Sequence, residues 1–93
     1  MIKPIRITPQ GIKLMNGYRL IYIPGYPKIG FTKDNTGWYY EHIYLMELEL
    51  DRFMLDGEHV HHLDGNRQNN ILSNLIVLFK VHHGRIHYWI DNG

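Results

Sequence analysis

Two adjacent histidines, His61 and His62, are the residues of this chain with the clearest potential for chemistry. Successive side chains of a β-strand point to opposite faces, so two neighbouring imidazoles on a strand can divide the work. One of them could bind a metal while the other acts on a water molecule. A lone His-His pair is weak support for such a site, and its meaning depends on the residues that follow it.

A segment rich in side-chain amides follows the histidine pair. Four asparagines lie between Asn66 and Asn74, beside Asp64 and Gly65. Asparagine and aspartate form hydrogen bonds with nearby backbone and tolerate turn conformations, which predicts a long polar loop. Such a loop can be no more than a wide connection in a hairpin, but loops of this length are often functional. The amides would keep the loop compact and so fix the position of the histidine pair.

Two further histidines, His83 and His87, are four residues apart in a segment, residues 81–90, for which we predict a helix. This spacing puts both side chains on one helix face, an arrangement typical of two imidazoles that share a metal. A third imidazole from His61 would extend the site, whereas a solvated helix surface is the alternative. The chain contains no cysteine, so neither a disulfide nor a thiolate zinc site is available to it.

The composition predicts one small folded domain. The chain has 93 residues, of which 44% are hydrophobic and 20% are charged. A net charge of +1 favours no particular partner, although the ten lysines and arginines could cluster on one face. The N-terminus lacks the apolar core of a signal peptide, and no apolar run approaches the length of a membrane span. We therefore expect a cytoplasmic protein without a membrane partner.

The hydrophobic pattern predicts an α+β fold in a single domain, 1–93. Apolar and polar residues alternate between residues 5 and 32, and the hairpin dipeptide Asn16-Gly17 interrupts them, which predicts an antiparallel meander. Apolar residues at spacings of three and four predict a helix over 40–55, with its acidic residues on the remaining faces. Residues 1–57 would form this meander plus helix. Residues 58–90 would form two strands, 58–63 and 75–79, and the final helix.

The residues from Val60 to Leu75, together with His83, resemble the HNH endonuclease family. Upstream segments such as Gly37-Trp38 and Glu41-His42 extend the resemblance to the small HNH proteins that are common in bacteriophages. It covers about residues 17 to 87. The family implies that residues 58–90 form a ββα-metal finger, also called a His-Me finger.

The resemblance also implies a role for each matching position. His62 corresponds to the general base that acts on the attacking water, and His61 to a metal ligand. His83 corresponds to the final metal ligand, and His87 to an additional ligand found in some members. Asn74 corresponds to the central asparagine, which pins the loop across the two strands.

The function that the resemblance implies is metal-dependent DNA endonuclease activity, in a protein of phage or mobile-element origin. We expect one divalent ion: Mg²⁺ or Mn²⁺ for activity, with Zn²⁺, Ni²⁺ or Co²⁺ also able to bind the imidazoles. Arg67, Lys80 and Arg85 flank the expected site and are candidate DNA contacts or ordinary surface cations. In so small a domain, a homodimer or a helper protein would add recognition of the DNA.

Two other functions compete with this interpretation. One is a non-catalytic DNA-binding or phage packaging module that keeps the finger as a metal-braced scaffold. The presence of His62 argues against it, because a scaffold needs no base at that position. The other is a protein-binding metallodomain, for which the sequence offers little support.

Overall fold

The computed structural model describes residues 2–28, 36–80 and 86–89. Within these residues the chain forms two three-stranded antiparallel sheets and one α-helix, with a single-turn 3₁₀ helix before β5. The elements are β1 (Ile12–Met15), β2 (Tyr18–Tyr22), β3 (Trp38–Tyr40), α1 (Glu41–Leu50), β4 (Glu58–His62), the 3₁₀ helix (Leu72–Asn74), β5 (Leu75–Lys80) and β6 (Ile86–Trp89).

The N-terminal sheet is the predicted meander with a different third strand. Asn16 and Gly17 form the tight turn between β1 and β2 with φ values of 53° and 82°, the left-handed pair that a two-residue hairpin requires. β2 then pairs with β3, in which Tyr39 lies opposite Ile21. The alternating residues 5–8 form no strand, and residues 29–32 of the predicted third strand lie outside the described part of the chain.

Helix α1 is shorter than predicted. It begins at Glu41 but ends at Leu50 rather than near residue 55, because Asp51 adopts a left-handed conformation with φ of 56°. Beyond Asp51 the Glu47 carboxylate accepts a hydrogen bond from the backbone N–H of Met54 at 2.8 Å. A further helical turn would need this N–H for its own hydrogen bonding. The side chain therefore turns the backbone away from the helix axis.

The core lies between α1 and the two sheets. One cluster of buried side chains joins the N-terminal sheet to the helix, and a second joins the helix to β5. Glu47 is fully buried and bonds to two tyrosines of the first cluster, although the apolar spacing of the sequence places it on the polar side of the helix. The buried apolar members are Ile21, Ile23, Tyr26, Tyr39 and Tyr44 in the first cluster and Met46, Leu75 and Val77 in the second.

The second sheet confirms two of the three predicted elements of its segment. β4 and β5 form an antiparallel pair in which His62 lies opposite Leu75; we refer to β4, β5 and the loop between them as the finger hairpin. The predicted final helix is wrong over Ile86–Trp89, which form β6 and pair with β5. The outer edge of β5 offers unpaired backbone groups, and β-branched and aromatic residue types favour pairing with it over a helix.

The architecture confirms the α+β class: N-terminal antiparallel strands, a helix and then further strands. The residues 81–85, which complete the predicted helix on its N-terminal side, lie outside the described residues. Among the described residues, α1 is not long and apolar enough to cross a membrane, nor is any other helix.

Candidate functional site

Strand β4 presents the histidine pair on opposite faces. His62 is buried, with 5% of its surface exposed, whereas the next residue back, His61, is exposed. The alternation of side chains along the strand produces this difference. The ring of His62 lies against the N-terminal half of the chain, 5.0 Å from the ring of His42 and 6.3 Å from that of Tyr18, measured between centroids.

A continuous series of hydrogen bonds connects the ring of His62 to Arg19 in the N-terminal sheet. Its Nε2 lies 2.7 Å from Oδ1 of Asn70, and the amide nitrogen of Asn70 donates to Oε1 of Glu41 at 2.8 Å. Arg19 in turn donates to both oxygens of Glu41, at 2.8 and 3.4 Å. Burial of the Glu41 carboxyl opposes its ionisation, but the hydrogen bonds from Arg19 and Asn70 outweigh this and lower its pKa. The same contact with Glu41 raises the pKa of Arg19.

His42 is a second buried imidazole beside the site, and sequence reasoning assigned it no role. Its ring stacks on Tyr18 with centroids 5.2 Å apart, and its Nδ1 has no hydrogen-bond partner among the described residues. Burial lowers the pKa of His42 to about 4, and the proximity of His62 adds to the effect. His42 is therefore a neutral packing partner of His62 at physiological pH.

The amide of Asn74 joins the two ends of the loop in the finger hairpin. Its Oδ1 accepts from the backbone N–H of Asp64 at 3.1 Å. Its Nδ2 donates to the Asp64 carboxylate at 3.0 Å and to the backbone oxygen of Asn69 at 2.9 Å. The amide nitrogen of Asn69 also donates to the Asp64 carboxylate at 2.8 Å. Among the interactions that lower the pKa of the Asp64 carboxyl, this hydrogen bond has the largest effect. The loop is thus closed on itself directly beside His62.

Arg67 connects this loop to the N-terminal sheet. Its guanidinium donates to the backbone oxygen of Asn16 at 2.9 Å and lies 4.8 Å from the centre of the Tyr18 ring, within cation–π range. A pocket of about 260 Å³ opens beside it. The residues that line this pocket are Tyr18, Val60, His61, His62, Gly65 and Arg67. Atoms of both histidines and of Arg67 therefore line this pocket, although the two imidazoles lie on opposite faces of β4.

The remaining candidate residues fall at or beyond the edge of the described structure. Lys80 is the last residue of β5, and His83 and Arg85 lie outside the described residues. The backbone of His87 lies in β6 opposite Phe79 of β5, whereas His61 in β4 lies opposite Ile76 of β5. The backbones of His61 and His87 are thus separated by about 10 Å along the strands and by about 10 Å across the sheet. The backbones of His61 and His87 therefore lie apart in this sheet, and the strand conformation of His87 lacks the helical spacing on which its pairing with His83 was based. The role of His87 as a metal ligand stays a prediction.

The described residues of the site do not supply a complete set of ligands for a metal ion. No group of three or more histidine, aspartate or glutamate side chains converges among the described residues. Among the residues that line the pocket, His61 presents an exposed imidazole, a suitable ligand for a divalent transition metal. A metal ion bound there would need further donors from other segments, from solvent or from substrate.

A family model for HNH endonucleases matches residues 39–85, which is just over half of the 93 residues. The match begins in β3 and contains α1, the finger hairpin and the predicted site residues His61, His62, Asn74 and His83. The chain belongs to the HNH endonuclease family. No curated protein and no solved structure matches it.

Membership of this family makes nuclease activity or nucleic-acid binding the functional class of the protein. Members of the family act on DNA and typically use a divalent metal. The motif predicted roles for the histidine pair and for Asn74, and those roles stay predictions. It did not identify Asn70 as the hydrogen-bond partner of His62, nor the bonds from Asn70 and Arg19 to Glu41, because only the fold reveals contacts between residues 8 to 29 positions apart.

Proposed function

We propose that this protein is a metal-dependent endonuclease that hydrolyses phosphodiester bonds in DNA. The observation that carries the proposal is the shared pocket, in which the histidine pair lies together with Arg67 inside the segment that matches the family. A nuclease needs a proton acceptor, a source of positive charge and access for the DNA backbone at one place. These side chains are suited to the three tasks.

His62 is the proposed general base. A neutral imidazole is a suitable proton acceptor near pH 7, and the pocket gives a water molecule access to a ring that is otherwise buried. His62 would take one proton from that water as its oxygen attacks the phosphorus, the bond from phosphorus to the 3′ oxygen would break, and the 3′ oxygen would take a proton from solvent. The products that the family resemblance implies are a 5′ phosphate and a 3′ hydroxyl.

His61 is the proposed metal ligand on the described part of the chain, with His83 as the second imidazole. A divalent ion held there would supply positive charge to the scissile phosphate and the departing oxygen. We propose Mg²⁺ or Mn²⁺ for activity, because both leave positions open for water and phosphate. Zn²⁺, Ni²⁺ or Co²⁺ would bind the imidazoles more tightly. We assign His87 no more than a secondary role, since its segment is a strand.

Arg67 is the best supported of the proposed DNA contacts. Its guanidinium is already oriented by the Tyr18 ring and the carbonyl of Asn16, so little side-chain entropy remains to be lost when it binds a phosphate. Lys80 and Arg85 are proposed contacts on the basis of their sequence positions alone. We further propose action in a bacterial cytoplasm in a phage or mobile-element context, with a homodimer or helper protein adding recognition.

The alternative is a non-catalytic, metal-braced DNA-binding or packaging module. The burial of His62 and its packing against His42 favour this alternative, because a buried histidine can be purely structural. The two functions differ in whether the DNA backbone is cut. They share the family and the fold.

Incubation with supercoiled plasmid separates the two functions. Purified protein would be mixed with the plasmid in separate reactions containing Mg²⁺, Mn²⁺, Zn²⁺, Ni²⁺ or Co²⁺, with a chelator reaction as the control. We expect open-circular or linear DNA with at least one of these ions and none with the chelator. If every reaction retards the plasmid on a gel but leaves it supercoiled after the protein is removed, the binding module is the correct function.

A further inference from the structure

The hydrogen bonds that hold His62 converge on the Glu41 carboxylate, which accepts from Arg19 on one side and from Asn70 on the other. They start at Arg19 in β2, pass through Glu41 at the first turn of α1 and the amide of Asn70 in the loop, and end at Nε2 of His62. Two of these four residues lie in the N-terminal sheet and helix, and two in the finger hairpin. The N-terminal region therefore contacts the candidate base through a defined series of donors and acceptors.

The chemistry of Glu41 determines the direction of each bond. An ionised carboxylate can only accept hydrogen bonds, so Asn70 must point its NH₂ group at Glu41 and its carbonyl oxygen at His62. That oxygen is also only an acceptor, so Nε2 of His62 must carry the hydrogen. A neutral imidazole has one N–H, and its other nitrogen, Nδ1, then has a free lone pair.

We propose that Arg19, Glu41 and Asn70 are positioning residues that fix the tautomer of His62 and make Nδ1 its proton-accepting atom. The proposal rests on the proposed function insofar as it identifies the atom that accepts the proton from water. The state of the His62 ring itself can be measured without metal or DNA.

Arg19 has a definite part in this arrangement. It donates to both oxygens of Glu41, and the two side chains are only partly exposed, at 34% and 19%. The ion pair keeps Glu41 charged and holds its Oε1 towards Asn70. An uncharged partner at position 41 could donate as well as accept, and the Asn70 amide could then turn over and offer its NH₂ group to His62. The charge of Glu41 thus excludes the opposite tautomer.

Nitrogen-detected NMR of the imidazoles tests the proposal directly. Metal-free protein labelled with ¹⁵N would be studied at about pH 8, where a free histidine is neutral, and the signals of His62 would be assigned by their absence in His62→Gln. We expect a single Nε2–H tautomer in the unmodified protein. In the charge-swapped variant Arg19→Glu/Glu41→Lys, position 41 can only donate, so Asn70 must turn over and His62 must become the Nδ1–H tautomer.

Two single substitutions and one control test the same tautomer assignment without requiring the charge-swapped variant to fold. Glu41→Gln should give a mixture of tautomers and lower the kcat of DNA cleavage about 10- to 100-fold with KM unchanged. Glu49→Gln, an exposed glutamate on the same helix, is the matched control and should change neither. Arg19→Lys keeps the charge beside Glu41 and should retain the Nε2–H tautomer.

Distinct results overturn the proposal and the proposed function. A His62 that carries its hydrogen on Nδ1 in the unmodified protein, or keeps it on Nε2 in both Glu41→Gln and the swapped variant, overturns the tautomer assignment. A rise in KM with kcat unchanged in Glu41→Gln overturns the positioning role. A protein that shows the expected tautomers but cuts no DNA with any of the metals contradicts the nuclease function while leaving the tautomer assignment intact.

Discussion

Replacement of Glu47 by glutamine tests the polar centre of the core on which the site is built. One carboxylate oxygen of Glu47 accepts from the hydroxyls of Tyr26 and Tyr39 at 3.0 and 2.9 Å, and the other accepts from the backbone N–H of Met54 at 2.8 Å. These contacts join α1 to β3 and to the chain that leads to β4. Burial and the neighbouring Glu47 carboxylate raise the pKa of both tyrosines, so the hydroxyls remain donors.

Glutamine has nearly the same shape but only one acceptor oxygen. In either orientation of the amide, at least one buried donor of the three loses its acceptor, at about 1 to 3 kcal/mol. Removal of a buried charge also relieves part of its desolvation cost, so we expect a net loss of about 1 to 2 kcal/mol. For a domain of this size the melting temperature should fall by roughly 5 to 15 °C.

Thermal unfolding followed by circular dichroism measures this difference. Glu49→Gln on the exposed side of the same helix is the control and should change the free energy of unfolding by no more than about 0.5 kcal/mol. If Glu47→Gln melts together with this control, the three hydrogen bonds do not stabilise the core. Packing of apolar side chains alone would then hold α1 in place.

Three further predictions concern the site and its surroundings. The pKa of His42 is about 4 in the folded protein, below its ordinary value of 6.5, so the unfolded chain binds more protons between these two values. The free energy of unfolding should therefore fall by up to about 3 kcal/mol as pH is lowered through this window, and His42→Gln should remove that part of the slope in acid titrations of the metal-free protein. Asn74→Ala should lower both the melting temperature and the rate of plasmid cleavage, because the loop loses its closing bonds; a variant that melts normally yet is inactive would make Asn74 a direct catalytic residue. In calorimetric titrations with Mn²⁺ or Ni²⁺, His61→Ala and His83→Ala should each weaken binding more than His87→Ala does, and unchanged affinity in His61→Ala would move the metal site elsewhere.

The parts of the fold that depend on local sequence were predictable. The turn at Asn16-Gly17 and the pairing of β4 with β5 follow from dipeptide preference and strand periodicity, which act over a few residues. The end of α1 was not predictable from local sequence, because it depends on the left-handed conformation of Asp51 and on the hydrogen bond from the backbone N–H of Met54 to Glu47. The final helix failed for a related reason: pairing with β5 is a tertiary contact that the spacing of two histidines does not report.

The candidate site shows the same division. The sequence motif singled out the histidine pair, but the burial of His62 depends on its packing against His42, twenty positions away in the chain. Residue type alone cannot distinguish Asn70 from the other asparagines of the loop. Its contact with Glu41 spans 29 positions, and only the folded chain brings the two together.

The rate of DNA cleavage by His62→Ala tests whether His62 is the general base of a nuclease. Supercoiled plasmid would be cut under single-turnover conditions by the unmodified protein, by His62→Ala and by His59→Ala, an exposed histidine on the same strand that serves as the control. Loss of the base should lower the rate by about two to four orders of magnitude, with metal binding retained, with partial recovery in added imidazole and with no loss in the control. Cleavage by His62→Ala at the rate of the unmodified protein would show that His62 is not the general base.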